Sequence, residues 1–101
     1  MSDDRLKIQQ NNRALAAAIK RKKVDIIKQL LKSEYVDLSR SIILLAAVKT
    51  AELPIVQLLI DDGRLTERSI NKGITKAERL GYKNISDLLS DYLADNYENI
   101  L

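Results

Sequence analysis

Ser41-Ile-Ile-Leu-Leu-Ala-Ala-Val-Lys49 and Leu53-Pro-Ile-Val-Gln-Leu-Leu-Ile60, with Gly63 just beyond, decide the fold of this chain. In the second segment Ile55, Val56, Leu59 and Ile60 fall at i, i+1, i+4 and i+5. That spacing makes one apolar stripe on an α-helix and does not fit the alternation of a strand. Pro54 suits the first helical turn, where its missing N–H would have had no partner. Gly63 stands where a helix stop is expected. The first segment predicts a shorter helix over 41–49, and the polar stretch 50–53 predicts a tight break between the two.

The same arrangement recurs on either side. Ile26, Ile27, Leu30 and Leu31 repeat the stripe upstream, and Ile85, Leu88, Leu89, Tyr92 and Leu93 repeat it downstream, with Asn84 or Ser86 available as a cap. Shorter Ala-containing helices are expected before them, over 13–20 and about 70–80, with breaks at 21–23 and 81–83. Ala18, Ala46 and Ala77 recur at intervals of 28 and 31, and Ile26, Ile55 and Ile85 at 29 and 30. A small residue in each first helix lets the second approach closely, and stacking supplies a core that no single pair can bury. The expected fold is all-α, a single domain over 1–101. It divides into an N-terminal cap over 1–12, holding a helical turn or two, and helical pairs over about 13–38, 39–67 and 68–101.

These lines resemble ankyrin repeats, whose pattern runs Thr-Pro-Leu-His-x-Ala-Ala, a Gly-containing turn, and an Ile-Val-x-Leu-Leu second helix. Leu15-Ala-Ala-Ala-Ile19 with Ile26-Ile-Lys-Gln-Leu-Leu31 matches without a gap. Leu44-Leu-Ala-Ala47 with Ile55-Val-Gln-Leu-Leu-Ile60 matches with one extra residue in the turn. Ala77-Glu-Arg-Leu-Gly81 with Ile85-Ser-Asp-Leu-Leu89 is similar to a closing repeat. The Thr-Pro-Leu-His tetrapeptide is absent, the turn glycine survives only at Gly81, and the spacing is shorter than the usual 33 or so. The resemblance therefore implies a short solenoid with truncated fingers.

Composition narrows the function classes. The chain has no Cys and no His, which removes disulfides, Cys/His zinc sites and imidazole bases. Phe and Trp are absent, so the core is aliphatic. The polar start Met1-Ser2-Asp3-Asp4 is unlike a signal peptide, and the longest apolar run, 42–48, is too short to span a bilayer. An intracellular protein is expected, cytoplasmic or nuclear, with delivery into a host cell a further option. Asp61-Asp62 and Asp87, Asp91 and Asp95 lack the turn and clustered ligands of a calcium loop and are expected to be solvated. Ser and Thr have no His partner, and the three glycines are too dispersed to cradle phosphate. No enzyme, metal or cofactor is expected. The tail Tyr92, Leu93, Tyr97, Ile100 and Leu101 is expected to cover the last repeat, with an interface as the alternative.

Net charge is +3, unevenly spread: residues 1–40 carry ten Lys or Arg against five Asp or Glu, and 81–101 carry one Lys against four Asp or Glu. The ankyrin resemblance implies a concave binding surface made by the first helices and fingers. It would place Lys20, Arg21, Val48, Lys49, Arg79 and Leu80 on that surface, and Arg40, Arg68 and Asn71 on the finger side. The expected partner is a protein with an acidic surface. Nucleic acid bound by the strip around Lys20-Arg-Lys-Lys23 is the alternative, although no aromatic sits there to stack a base. Self-assembly into a homodimer through the apolar tail is the third.

Overall fold

The structure is a computed structural model that describes residues 4–97. Its described residues form six α-helices and no strand: α1 (Asp4–Lys20), α2 (Val24–Leu31), α3 (Ser41–Lys49), α4 (Leu53–Asp62), α5 (Glu67–Leu80) and α6 (Lys83–Tyr97). Each short turn joins a packed pair, α1 with α2, α3 with α4 and α5 with α6. Contacts also run along two rows, α1 to α3 to α5 and α2 to α4 to α6. Leu15, Ile19, Ile27, Leu44, Val48, Val56, Leu59, Ile70 and Leu89 are fully buried between the rows.

The turns inside the pairs share one backbone device. Lys22, Ala51 and Gly81 all adopt a left-handed conformation, with φ of 58°, 62° and 78°, and they lie 29 and 30 residues apart. At the first, the Lys23 N–H bonds the Ala18 carbonyl and the Lys22 N–H bonds that of Ile19. At the third, Tyr82 bonds Ala77 and Gly81 bonds Glu78 in the same way. Both are Schellman closures of the preceding helix. In the middle turn the Thr50 hydroxyl intervenes, donating to the Ala47 carbonyl at 2.6 Å and accepting from the Glu52 N–H at 3.1 Å.

This register corrects two expectations. The buried small residue of α3 is Ala47, fully enclosed, and not the half-buried Ala46. Ala18, Ala47 and Ala77 then recur at 29 and 30, and no extra residue is needed in the turn. Val48 consequently falls in line with Ile19 and is buried in the core, not on the surface.

Other boundaries also differ. The helical turn or two expected in the N-terminal segment is present, but it is continuous with the next helix, because no Gly or Pro interrupts the chain before Lys20 and α1 runs straight through. Its polar amino-terminal half hooks the 32–40 connection. Asn12 donates to the Asp37 carbonyl at 2.9 Å and accepts from its N–H at 3.0 Å, and Asn11 donates to the Tyr35 carbonyl at 3.0 Å. Arg64 ties the same connection from the other side, donating to the carbonyls of Leu31, Ser33 and Val36 and to both oxygens of Asp62. Helix α6 begins earlier than Asn84 and Ser86, at Lys83. The Asn84 side chain accepts from the Ile85 N–H at 2.9 Å within the first turn, the Ser86 hydroxyl donates to the Lys83 carbonyl, and the Tyr82 carbonyl accepts from both Ile85 and Ser86 N–H. Gly63 ends α4 in a left-handed conformation, as expected. Leu93 is buried and the Tyr97 hydroxyl donates to the Leu65 carbonyl at 3.3 Å, so this much of the tail packs back on the helices. Ile100 and Leu101 lie outside the described residues.

Candidate functional site

The exposed face of α1, α3 and α5 is built from side chains that the 29- and 30-residue offsets bring into line. On α3, Ile42, Leu45, Ala46 and Lys49 follow i, i+3, i+4 and i+7 and form one stripe, exposed at its ends and half-buried in its middle. The matching residues are Arg13, Ala16, Ala17 and Lys20 on α1, and Lys72, Thr75, Lys76 and Arg79 on α5. One edge of the resulting grid is Lys20, Lys49 and Arg79; the other is Arg13, Ile42 and Lys72. Six of the twelve positions are cationic and none is acidic.

Open grooves run between the stripes. The first, of about 480 Å³, sets Ile42, Leu45 and Ala46 of α3 below Lys20, Lys22 and Lys49. The second, of about 410 Å³, lies between α3 and α5 and combines Leu45 with Asn71, Lys72, Lys76 and Arg79. Leu45 lines both. A third, of about 350 Å³, joins Arg40 with Arg68 and Lys72 where α3 and α5 begin.

Among the described residues, the ion pairs are Lys22 with Glu52 at 3.4 Å, Arg64 with Asp62 at 2.7 Å and Lys83 with Asp87 at 3.3 Å. None of the six cations of the grid takes part in one. Glu52 and Asp37 border the face: Glu52 is paired with Lys22 at the edge of the first groove, and Asp37 shares a neighbouring groove with Arg13 and Arg40 and is bonded by Ser39. Hydrogen bonds from the Ser39 hydroxyl and backbone N–H hold the pKa of Asp37 below the usual carboxylate range, with Arg40 adding to the effect.

No family model, curated protein or solved structure matches the chain.

The residues singled out from the sequence therefore divide among the grooves. Lys20 and Lys49 meet across the first, Asn71 and Arg79 lie in the second, and Arg40 and Arg68 share the third. Asn71, expected on the finger side, instead sits one residue before Lys72 on the helical face. Arg21 is exposed in the turn after α1 and lines none of these three. Leu80 is exposed at the end of α5. Within the run Lys20 to Lys23, Lys20 and Lys22 both line the first groove, Lys22 being paired there with Glu52, while Lys23 immediately precedes α2. Sequence reasoning missed Arg13, Lys72 and Lys76. They become visible by stepping back three, four and seven residues from Lys20, Lys49 and Arg79.

Among the described residues, no group of three or more His, Cys, Asp or Glu is placed to hold a metal ion, and no helix is long and apolar enough to cross a membrane. Asp61 accepts from Gln57, Asp62 pairs with Arg64, and Asp87, Asp91 and Asp95 line an exposed side of α6. What the α1/α3/α5 face offers is uncompensated positive charge around an aliphatic floor, an arrangement suited to binding.

Proposed function

We propose that this chain is a non-enzymatic protein-binding module, built as a short ankyrin-type stack of helical pairs, which receives an acidic protein surface on the α1/α3/α5 face. The observation that carries the proposal is the grid itself, six cations in register on three consecutive first helices with no carboxylate among them. Two rows of packed helices and left-handed turns 29 and 30 residues apart support a stack, and the four-residue connection over 63–66 supports a reduced finger there, next to a longer connection over 32–40. Positive charge spread over one face steers an acidic partner and speeds association more than it fixes affinity. Nucleic acid suits the face less well: none of the twelve positions is aromatic, so base stacking has no platform.

The test is a binding titration with fluorescently labelled poly-L-glutamate and, separately, duplex DNA, at low and at moderate salt. The chain should bind the acidic polypeptide. The triple variant Lys20→Glu, Lys49→Glu, Arg79→Glu should lose at least tenfold in affinity while keeping its helical circular dichroism. Unchanged affinity in the triple variant, or tighter binding to DNA than to poly-L-glutamate, refutes the proposal.

A further inference from the structure

Six large hydrophobic side chains among the described residues are conspicuously exposed: Leu6, Val24, Ile26, Ile42, Leu80 and Tyr97. Five of them belong to the first or last helical pair, where a stack runs out of neighbours to cover it. Ile26 illustrates this, because it is 50% exposed while Ile55 and Ile85, at the same position in the following pairs, are 2% and 0% exposed. Ile42 has no such explanation. It sits on α3, which packs against α1, α4 and α5, yet it is the most exposed of the six at 67%.

From this side chain and its surroundings we infer that the occupant of the face is an acidic amphipathic helix, lying across α1, α3 and α5, which buries aliphatic side chains against Ile42, Leu45 and Ala46. The inference rests on the basic-face function proposed above and adds the chemistry of the partner. Leu45 and Ala46 are half-buried and form the apolar floor of the first groove beside Ile42, and Leu45 carries that floor into the second; Lys76 limits it at the α5 end.

The dimensions select a helix. Arg13 and Lys20 are seven residues apart on α1, as are Lys72 and Arg79 on α5. At about 1.5 Å rise per residue the two cationic edges are about 10 Å apart, which matches the roughly 10–12 Å diameter of an α-helix. An extended strand, with neighbours under about 5 Å away, would leave one edge unsatisfied. Three packed helices at about 8–10 Å between axes give a track of about 16–20 Å, or about 11–13 residues of partner helix. Such a segment would carry Leu or Ile at i, i+3 or i+4 and i+7 toward the floor, with Glu or Asp flanking on both sides.

Two synthetic 14-residue helical peptides of equal negative charge test this, one with three Leu along a single face flanked by Glu, the other with those Leu replaced by Ser. Isothermal titration should show the Leu peptide binding at least tenfold more tightly. Ile42→Ser, a change at an exposed position that leaves the core untouched, should abolish that margin while leaving the Ser peptide's affinity as it was. The Lys20→Glu, Lys49→Glu, Arg79→Glu variant should weaken both. Equal affinity of the two peptides, both still weakened by the charge reversals, overturns the helix and preserves the basic face. Binding of neither peptide at low salt overturns both. Sedimentation equilibrium without peptide is the remaining arm: self-association that Ile42→Ser abolishes would make a second copy the occupant and overturn the inference.

Discussion

Ala51 and Gly81 occupy the same left-handed turn position in successive helical pairs, at φ of 62° and 78°, but only one of them is suited to it. Exchanging the residue type at each should therefore move stability in opposite directions. Left-handed backbone costs an L-residue about 1–2 kcal/mol, because Cβ approaches the following carbonyl oxygen. Glycine avoids that cost but loses about 0.4–1 kcal/mol more conformational entropy on folding. The difference leaves Ala51→Gly stabilised and Gly81→Ala destabilised, each by about 0.5–1 kcal/mol. Side-chain contacts do not complicate the figure. Ala51 is exposed, and a Cβ built on Gly81 meets nothing within 4 Å. In a chain of this size such changes shift the melting temperature by about 2–8 °C. Scanning calorimetry of both variants, with urea titrations read by circular dichroism, measures the pair. A melting temperature that falls in Ala51→Gly, or does not move in Gly81→Ala, would refute the equivalence of the two turns and the helical register built on it.

Three further outcomes are expected. Gly73→Ala places a Cβ 2.8 Å from Cδ2 of Leu44 and 3.2 Å from Cδ1 of Leu89, both fully buried, so overpacking outweighs the gain in helix propensity and urea titration should show a net loss of about 1 kcal/mol. Asp37 has a folded-state pKa below its unfolded value, so its contribution is complete above about pH 4 and is lost as pH falls through the lowered folded pKa. Acid titrations of the melting temperature should fall less steeply in Asp37→Asn over that window. Neutralising the second set of cations, as Arg13→Gln, Lys72→Gln and Lys76→Gln together, should weaken poly-L-glutamate binding while unfolding free energy changes by less than about 0.5 kcal/mol per site; undiminished binding would remove these residues from the site.

Periodicity made α3 legible to the residue, because Ser41 to Lys49 is bounded by polar turns on both sides, and made the stripe of α2 legible over Ile26 to Leu31. It failed inside α3. Ile42 to Val48 is apolar on every side, so spacing alone does not say whether Ala46 or Ala47 meets α4, and a one-residue error carries Val48 out of the core. The amino-terminal half of α1 was legible only as a helical turn or two, and not as part of one helix with 13–20. Its Leu6 is exposed and its Ile8 half-buried, leaving no stripe to read, and long-range bonds from Asn11 and Asn12 to the 32–40 connection tie it to the fold. Arg64 gave no signal at all, since its partners are backbone carbonyls brought near only by folding.

The cations of the candidate site differ in how far a purely structural role accounts for them. Lys20 and Lys49 are the final residues of α1 and α3, and Arg79 lies in the last turn of α5. A positive charge at that end of a helix interacts favourably with the exposed carbonyls, by about 0.3–1 kcal/mol each. Folding alone therefore gives a reason for this edge to be basic, and reversing its charges perturbs stability as well as any partner. Arg13 and Lys72 enjoy no such benefit. Each sits well inside its helix, as does Lys76, and none is paired with a carboxylate among the described residues. Their alignment with Ile42, an aliphatic side chain of the middle helical pair left 67% exposed, gains nothing for the isolated fold. The second edge and the exposed isoleucine consequently carry more weight for a partner than the more conspicuous row that ends the helices, and the Arg13, Lys72 and Lys76 neutralisation separates binding from helix-end electrostatics where the charge reversals do not.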